Sequence, residues 1–243
     1  MNNGDENMIS TKAEKMLYRK YLLNVNILEC LRRESAEVLF DSEKGILIVD
    51  KESGIYMIST EDKKTSEQII KLIPKTTELI LANQNFYCEE IKNKCNLKEI
   101  MATYHSVWQK DELVKIPEFE GEIKSLSIKE LDVVSEKYSS IDLIDKDYIQ
   151  KRIENDNMLG AFIDDNLCGF IGYHDEGSIG LLEVFPEYRN KGIGSILQGT
   201  AVNKAIKDGK IPFGEVKVNN YKSLNLQKKL GFSIAEEKVY WIL

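Results

Sequence analysis

Between Ile179 and Lys207 three kinds of pattern follow one another without a gap. An apolar run, Ile179 to Val184, ends at Pro186. The loop Arg189-Asn190-Lys191-Gly192-Ile193-Gly194 comes next. From Ile193 onward, apolar residues recur at helical spacing (Ile193, Leu197, Ala201, Ala205). A strand, a glycine-bearing loop and a helix start must therefore meet in one place. That arrangement points several backbone N–H groups at one spot with a helix dipole behind them, which is a phosphate-binding geometry. Gly192 and Gly194 matter because a Cβ would hold a phosphate away from the amides. Arg189 can add a charged donor. Alone, R-x-x-G-x-G matches arise by chance and describe a glycine-eased turn. The flanking strand and helix make Asn190, Lys191, Gly192, Ile193, Gly194 and Ser195 a candidate anion cradle.

A second signature lies downstream in VKVNNYKSLNLQKKLGF, Val216 to Phe232. Gly231 reads as a helix C-cap, since a glycine after a helix accepts the left-handed conformation. Together the two segments resemble the GCN5-related N-acetyltransferases (GNAT). The loop matches that family's pyrophosphate-binding motif. Asn220, Ser223, Leu226, Lys229, Gly231 and Phe232 fall on its later strand-helix pattern. The resemblance covers the second half of the chain. It implies an α/β (α+β) fold with a mixed, mostly antiparallel sheet flanked by helices. It implies acetyl-CoA as cosubstrate and transfer of an acetyl group to a primary amine of a small molecule or peptide. By the same resemblance the cofactor would meet the strand at Leu182 and Val184, with a backbone N–H near Val184 facing the oxyanion. Asn220 would bond the pantetheine arm or the adenosine side, with Ser223 nearby.

The remaining pattern fits two halves. Proline, glycine and charge break the apolar periodicity within KIPEFEGE, near Pro117. The expected domains are 1–116 and 120–243. In the second, a strand at Ile123 to Leu126 and helices at Lys129 to Tyr138 and Lys146 to Asn155 precede a hairpin, Leu159 to Ile163 and Leu167 to Tyr173. The first half has similar grammar: helices over Ser10 to Arg33, then three short strands, helix, strand, helix and strand. It reads as a smaller α/β domain that is either a degenerate GNAT-like copy or unrelated. After its third strand comes TEDKKTSEQ, which has no glycine, so no CoA site is expected there.

Acyl transfer to an amine needs a proton acceptor, because an alkyl ammonium has a pKa near ~10.4. Glu183 is the nearest carboxylate on the central strand, and His174 ends the hairpin. In many relatives a tyrosine on the last helix protonates the departing thiolate; that position here is Gln227, which cannot act as a general acid. Tyr221, Tyr188 and Tyr240 are substitutes, Tyr221 being the one carried forward. Gln227 also motivates an alternative reading, an acyl-CoA-binding or interaction module with little catalysis. The arrangement of the whole chain also resembles, more loosely, glycine N-acyltransferase-like proteins, which would make glycine an acceptor or the acyl group longer.

A formal charge of −7 argues against nucleic acid as a main ligand and is compatible with a cationic substrate. Four scattered cysteines and two histidines imply reduced thiols and no metal site. Cys168, in an apolar strand pattern, is expected in the core. No apolar run approaches the ~20 residues of a membrane span. The acidic, polar N-terminus lacks a signal-peptide pattern. A cytoplasmic location and no membrane partner are the expectations, with a homodimer left open.

Overall fold

The computed structural model describes residues 10–139 and 144–243. The N-terminal segment read above lies almost wholly outside them. The first half contains α1 (Glu14–Arg19), α2 (Tyr21–Arg32), β1 (Ala36–Ser42), β2 (Gly45–Asp50), β3 (Tyr56–Thr60), α3 (Lys63–Leu72), β4 (Ile80–Ala82), α4 (Cys88–Cys95) and β5 (Ile100–Val107). The second contains β6 (Glu122–Ser125), α5 (Leu131–Lys137), α6 (Lys146–Glu154), β7 (Met158–Ile163), β8 (Asn166–Tyr173), β9 (Ile179–Val184), α7 (Ile193–Lys207), β10 (Phe213–Lys217), α8 (Tyr221–Leu230), β11 (Ser233–Ile234) and β12 (Val239–Ile242). This is a mixed α/β fold with mostly antiparallel sheets flanked by helices.

The strands form two sheets. One runs β6-β7-β8-β9. The other runs β1-β2-β3-β4-β12-β5-β10, with β11 also paired to β5. Among these pairs only β3 and β4 are parallel. Each half therefore sends its last strand into the other. β12 inserts between β4 and β5, with Tyr240 opposite both Ala82 and Ala102. β5 lies between β10 and β11, with Val107 opposite Phe213 on one side and Ser233 on the other. The halves repeat an order of elements: three antiparallel strands, helix, strand, helix, closing strand.

Packing follows from this interleaving. Helices α1 and α2 bury Leu17, Leu23, Ile27 and Leu31 against Ile46, Ile48, Met57 and Val239, so one core already mixes the two halves. Helix α7 covers one face of the four-stranded sheet with Ile193, Leu197, Ala201 and Ala205, the residues read from the sequence as its apolar stripe. Cys168 is fully buried there. Helices α5 and α6 cover the opposite face through Val134, Ile149 and Ile153. The segment around Pro117 is not a free linker. Asn203 of α7 accepts from the Val114 N–H at 2.7 Å and donates to its carbonyl at 3.0 Å.

Candidate functional site

Strand β9 ends the four-stranded sheet and β10 ends the larger one, and they lie side by side without a ladder. They pinch together where Gly214 meets Ile179: a Cβ on Gly214 would stand 2.8 Å from the Ile179 carbonyl oxygen. The register of β9 on β8 shifts between Glu183 and Gly180, and Leu181 takes φ +54°. This is a β-bulge, which re-aims a strand and takes one residue out of the ladder. Beyond the bulge, the Phe185 N–H donates to Cys168 O at 2.9 Å. By antiparallel alternation the Val184 N–H, and Leu182 with it, turns to the open edge facing β10.

The loop after β9 makes a short 3-10 turn over Pro186–Tyr188 and passes Asn190 at φ +62°. Gly192 is the N-cap of α7 at φ +80°, and no side chain caps the helix. Ser195 and Ile196 donate back to Gly192 O, at 2.9 and 3.1 Å. The amides of Ile193 and Gly194 precede any helical acceptor and stay open. Nothing lies within 4 Å of a Cβ placed on Gly192, while one on Gly194 would sit 3.7 Å from both Val184 Cγ2 and Leu226 Cδ2. Gly194 thus faces the gap between the end of β9 and α8.

The other predicted ligands are more varied. Arg189 folds back, its Nε donating to Val184 O at 2.9 Å and its guanidinium pairing with Glu183 Oε1 at 3.2 Å. Lys191 is exposed, with its Nζ 5.3 Å from the centre of the Tyr188 ring. Asn220 caps α8, its Oδ1 accepting from the Ser223 N–H at 3.2 Å, which leaves its NH2 donors over. Gln227 is 5% exposed and its Oε1 has no partner. It lies beside Gly214, at the pinch of β9 and β10.

Of the three catalytic candidates, the structure brings one to a cavity. Glu183 is tied up by Arg189 and by the Ser139 N–H at 3.3 Å. Tyr221 is 71% exposed on the outer surface of α8. His174 lines a cavity of about 590 Å³ on the α6 side of the sheet, together with Ile179 of β9 and Glu215 of β10. Its Nδ1 is 3.0 Å from the Tyr148 hydroxyl, which also accepts from the Asp175 N–H at 3.3 Å. Burial, and then nearby carboxylates, raise the Tyr148 pKa and keep that hydroxyl protonated. If Tyr148 accepts the Nδ1 proton, Nε2 is left free to take one.

Sequence reasoning missed several residues around this cavity. Glu176 is wholly buried and accepts from Ser178 Oγ at 2.5 Å; burial pushes its carboxyl above the ordinary range. Glu215 accepts from Trp241 Nε1 at 2.5 Å and lies 3.2 Å from His105 Nε2. His105 is fully buried, with its Nδ1 3.0 Å from Leu23 O. A charged residue inside the apolar strand FGEVKV was the available signal for Glu215. Both histidines of the chain stand at this cavity or directly behind its floor.

Residues 122–232 match the family model described as Acetyltransferase (GNAT) family. This segment is a GNAT domain. No curated protein matches the chain in sequence. Among solved structures, a Drosophila protein is similar at a TM-score of 0.67 and 16% identity, covering 82% of this chain and 74% of its own. A GCN5-related N-acetyltransferase-like protein from Streptococcus suis gives 0.52 and 15%, covering 95% and 99%. A tandem GNAT protein from the clavulanic acid biosynthesis pathway gives 0.51 and 12%, covering 96% of each chain. These likenesses concern the fold. In the GNAT domain the chemistry belonging to the family is acyl transfer.

The corresponding place in the first half is built differently. Asp62 caps α3, accepting from the Thr65 N–H and Oγ1, each at 2.9 Å. Strands β3 and β4 are joined by a parallel ladder, and the Asn83 N–H continues it to Ile58 O at 2.9 Å. Among the described residues no helix is long and apolar enough to cross a membrane, and no cluster of three metal-ligating side chains occurs.

Proposed function

We propose that the protein is an acetyl-CoA-dependent N-acetyltransferase that moves an acetyl group to a primary amine of a small molecule or peptide. The observation that carries this reading is the uncapped, glycine-flanked start of α7 beside the open edges of β9 and β10. The residues fit acetyl-CoA. The open amides of Ile193 and Gly194 would take the pyrophosphate, with Asn190 and Lys191 at the rim. The edge amides at Leu182 and Val184 and the unpartnered Gln227 Oε1 offer donors and an acceptor along the arm. The spare Asn220 donors and Ser223 stand at the other side of the gap.

In the transfer the amine nitrogen attacks the thioester carbon, the C–N bond forms and the C–S bond breaks with its electrons going to sulfur. The Val184 N–H is a preorganised donor for the oxyanion. His174, facing the cavity with Tyr148 at its Nδ1, takes the amine proton at Nε2. Arg189 holds Glu183, which suits a positioning role for this pair. Gln227 can donate a hydrogen bond to departing sulfur and cannot protonate it. That limit favours a second reading, an acyl-CoA-binding module with little turnover.

The repeated order of elements supports treating 1–116 as a CoA-free copy of the fold fused to the GNAT domain at 120–243. Thermal melting with acetyl-CoA tests the cosubstrate. A ligand at 100 times its Kd stabilises by about 2.7 kcal/mol, and no shift at saturation would sink the claim. Thiol release over a panel of amines then separates transferase from module.

A further inference from the structure

The cavity that holds His174 is walled by both halves. Its floor is the shared sheet: Leu79 just before β4, Trp241 on β12, Met101 on β5, and Glu215 and Lys217 on β10. Its volume, about 590 Å³, lies within the range of small-molecule sites. It reaches Ile179 and Glu215, residues of the same strand pair whose pinched edges face the CoA side. Leu79, Met101 and Trp241 make the centre of the floor apolar, Thr103 of β5 joins the β10 residues on its polar side, and Ser53 and Glu78 of the first half also line the cavity.

The polar groups are unequally shared between signs. Glu176 and Glu215 are carboxylates brought inside, the first bonded by Ser178 and the second by Trp241, Thr103 and His105. Asp175 is already paired with Arg152, and Arg33 donates to its backbone carbonyl. Asp145 caps α6 at the rim. Among the described residues, Lys217 is the one lysine or arginine that lines the cavity. Buried carboxylates attract an ammonium group and repel a second carboxylate far more strongly than they would in water.

We propose that this cavity is the acceptor site and that the first half selects the acceptor: a cationic amine with an apolar alkyl or aryl body and no carboxylate. Glycine and other amino acids are excluded by this charge pattern. The inference rests on the transferase reading for its purpose, but its test needs no acyl-CoA.

Calorimetric titration of the full chain with propylamine, butylamine, hexylamine, 2-phenylethylamine, phenylalanine and 3-phenylpropionate measures it. Affinity should rise along the alkyl series, by up to about fourfold for each fully buried methylene. 2-Phenylethylamine should bind, and the two carboxylates should bind at least about tenfold more weakly. Met101→Lys puts a cation on the floor and should weaken every amine about tenfold or more while acetyl-CoA affinity is retained. Lys217→Met, at an accessible strand end, removes the cation and should tighten the amines. A flat alkyl series, or phenylalanine binding as tightly as 2-phenylethylamine, would overturn the proposal. So would amine affinity unmoved by Met101→Lys in a cooperatively melting protein, or lowered by Lys217→Met. Amine binding as expected without any acetyl-CoA binding would instead sink the transferase reading and leave the amine site standing.

Discussion

The substitution Gly194→Val separates binding at the α7 terminus from stability of the fold. Gly194 is the second residue of α7, and its φ is ordinary for a side chain. A Cβ there meets Val184 and Leu226 at 3.7 Å, which is van der Waals contact without strain. Valine is about 0.3–0.5 kcal/mol better than glycine inside a helix, so melting should stay level or rise slightly. The new methyl groups enter the gap where the amides of Ile193 and Gly194 point. Loss of one hydrogen bond to a charged group is worth about 1.5–3 kcal/mol, or roughly a 10- to 150-fold loss of acetyl-CoA affinity. Calorimetry with acetyl-CoA and a thermal melt read the two effects separately. Gly192 is the wrong place for this experiment. Its φ of +80° makes any side chain costly, about 1–2 kcal/mol even where space is open, so folding and binding would fall together. Unchanged acetyl-CoA affinity in a well-folded Gly194→Val protein would refute the cradle.

Asn220→Ala should cost about 1 kcal/mol because it uncaps α8, whereas Asn220→Asp keeps the cap and should melt like the parent. Weaker acetyl-CoA binding by the aspartate variant would assign the lost NH2 donors to the ligand. His174→Gln should lower kcat by about a hundred- to ten-thousandfold with acetyl-CoA affinity unchanged; an unaltered pH profile of kcat/KM would remove His174 from the proton path. Glu176→Gln should stabilise the protein at neutral pH. Burial raises the Glu176 pKa in the fold, so between the ordinary glutamate range and the raised value the native state holds a proton that the unfolded state has released, and above that window the buried carboxylate is charged at a cost. Stability therefore falls as pH rises from the ordinary glutamate range through the raised value, and the glutamine variant escapes that loss. Denaturant melts of both proteins across pH should converge below the ordinary range, and a constant difference would contradict the assignment.

Element positions were largely legible from periodicity. The expected strand Ile179 to Val184 and the helix from Ile193 to about Lys207 coincide with β9 and α7. The partners of the strands were not legible. An apolar strand such as Ile100–Val107 states that it is buried, not which half buries it. The exchange of β5 and β12 depends on long-range pairing that period-2 alternation cannot encode. The Glu215–His105 contact shows the consequence. The two residues are directly opposite in the β10–β5 register, 110 positions apart, so neither motif nor spacing joins them. His174 was legible as a residue of interest, but its relation to Tyr148 and Glu176 appears only when α6 folds over the hairpin.

The two helix starts, α3 and α7, occupy similar places in their halves and are closed in different ways. Each follows the last strand of an antiparallel three-strand run, β1 to β3 before α3 and β7 to β9 before α7. At α7 the N-cap is a glycine, which has no side chain to satisfy the Ile193 and Gly194 amides, and the next strand, β10, forms no ladder with β9. At α3 the N-cap is Asp62, whose carboxylate is bonded by the Thr65 amide and hydroxyl, which hold its pKa down. A carboxylate at that position is itself the anion the helix dipole would attract, and it repels a phosphate. The β3–β4 ladder closes the gap through which a pantetheine arm would pass. One residue at the cap and one ladder therefore act in the same direction. The glycine-free TEDKKTSEQ segment contains that cap, so its sequence carried the distinction through the aspartate it has as well as the glycines it lacks.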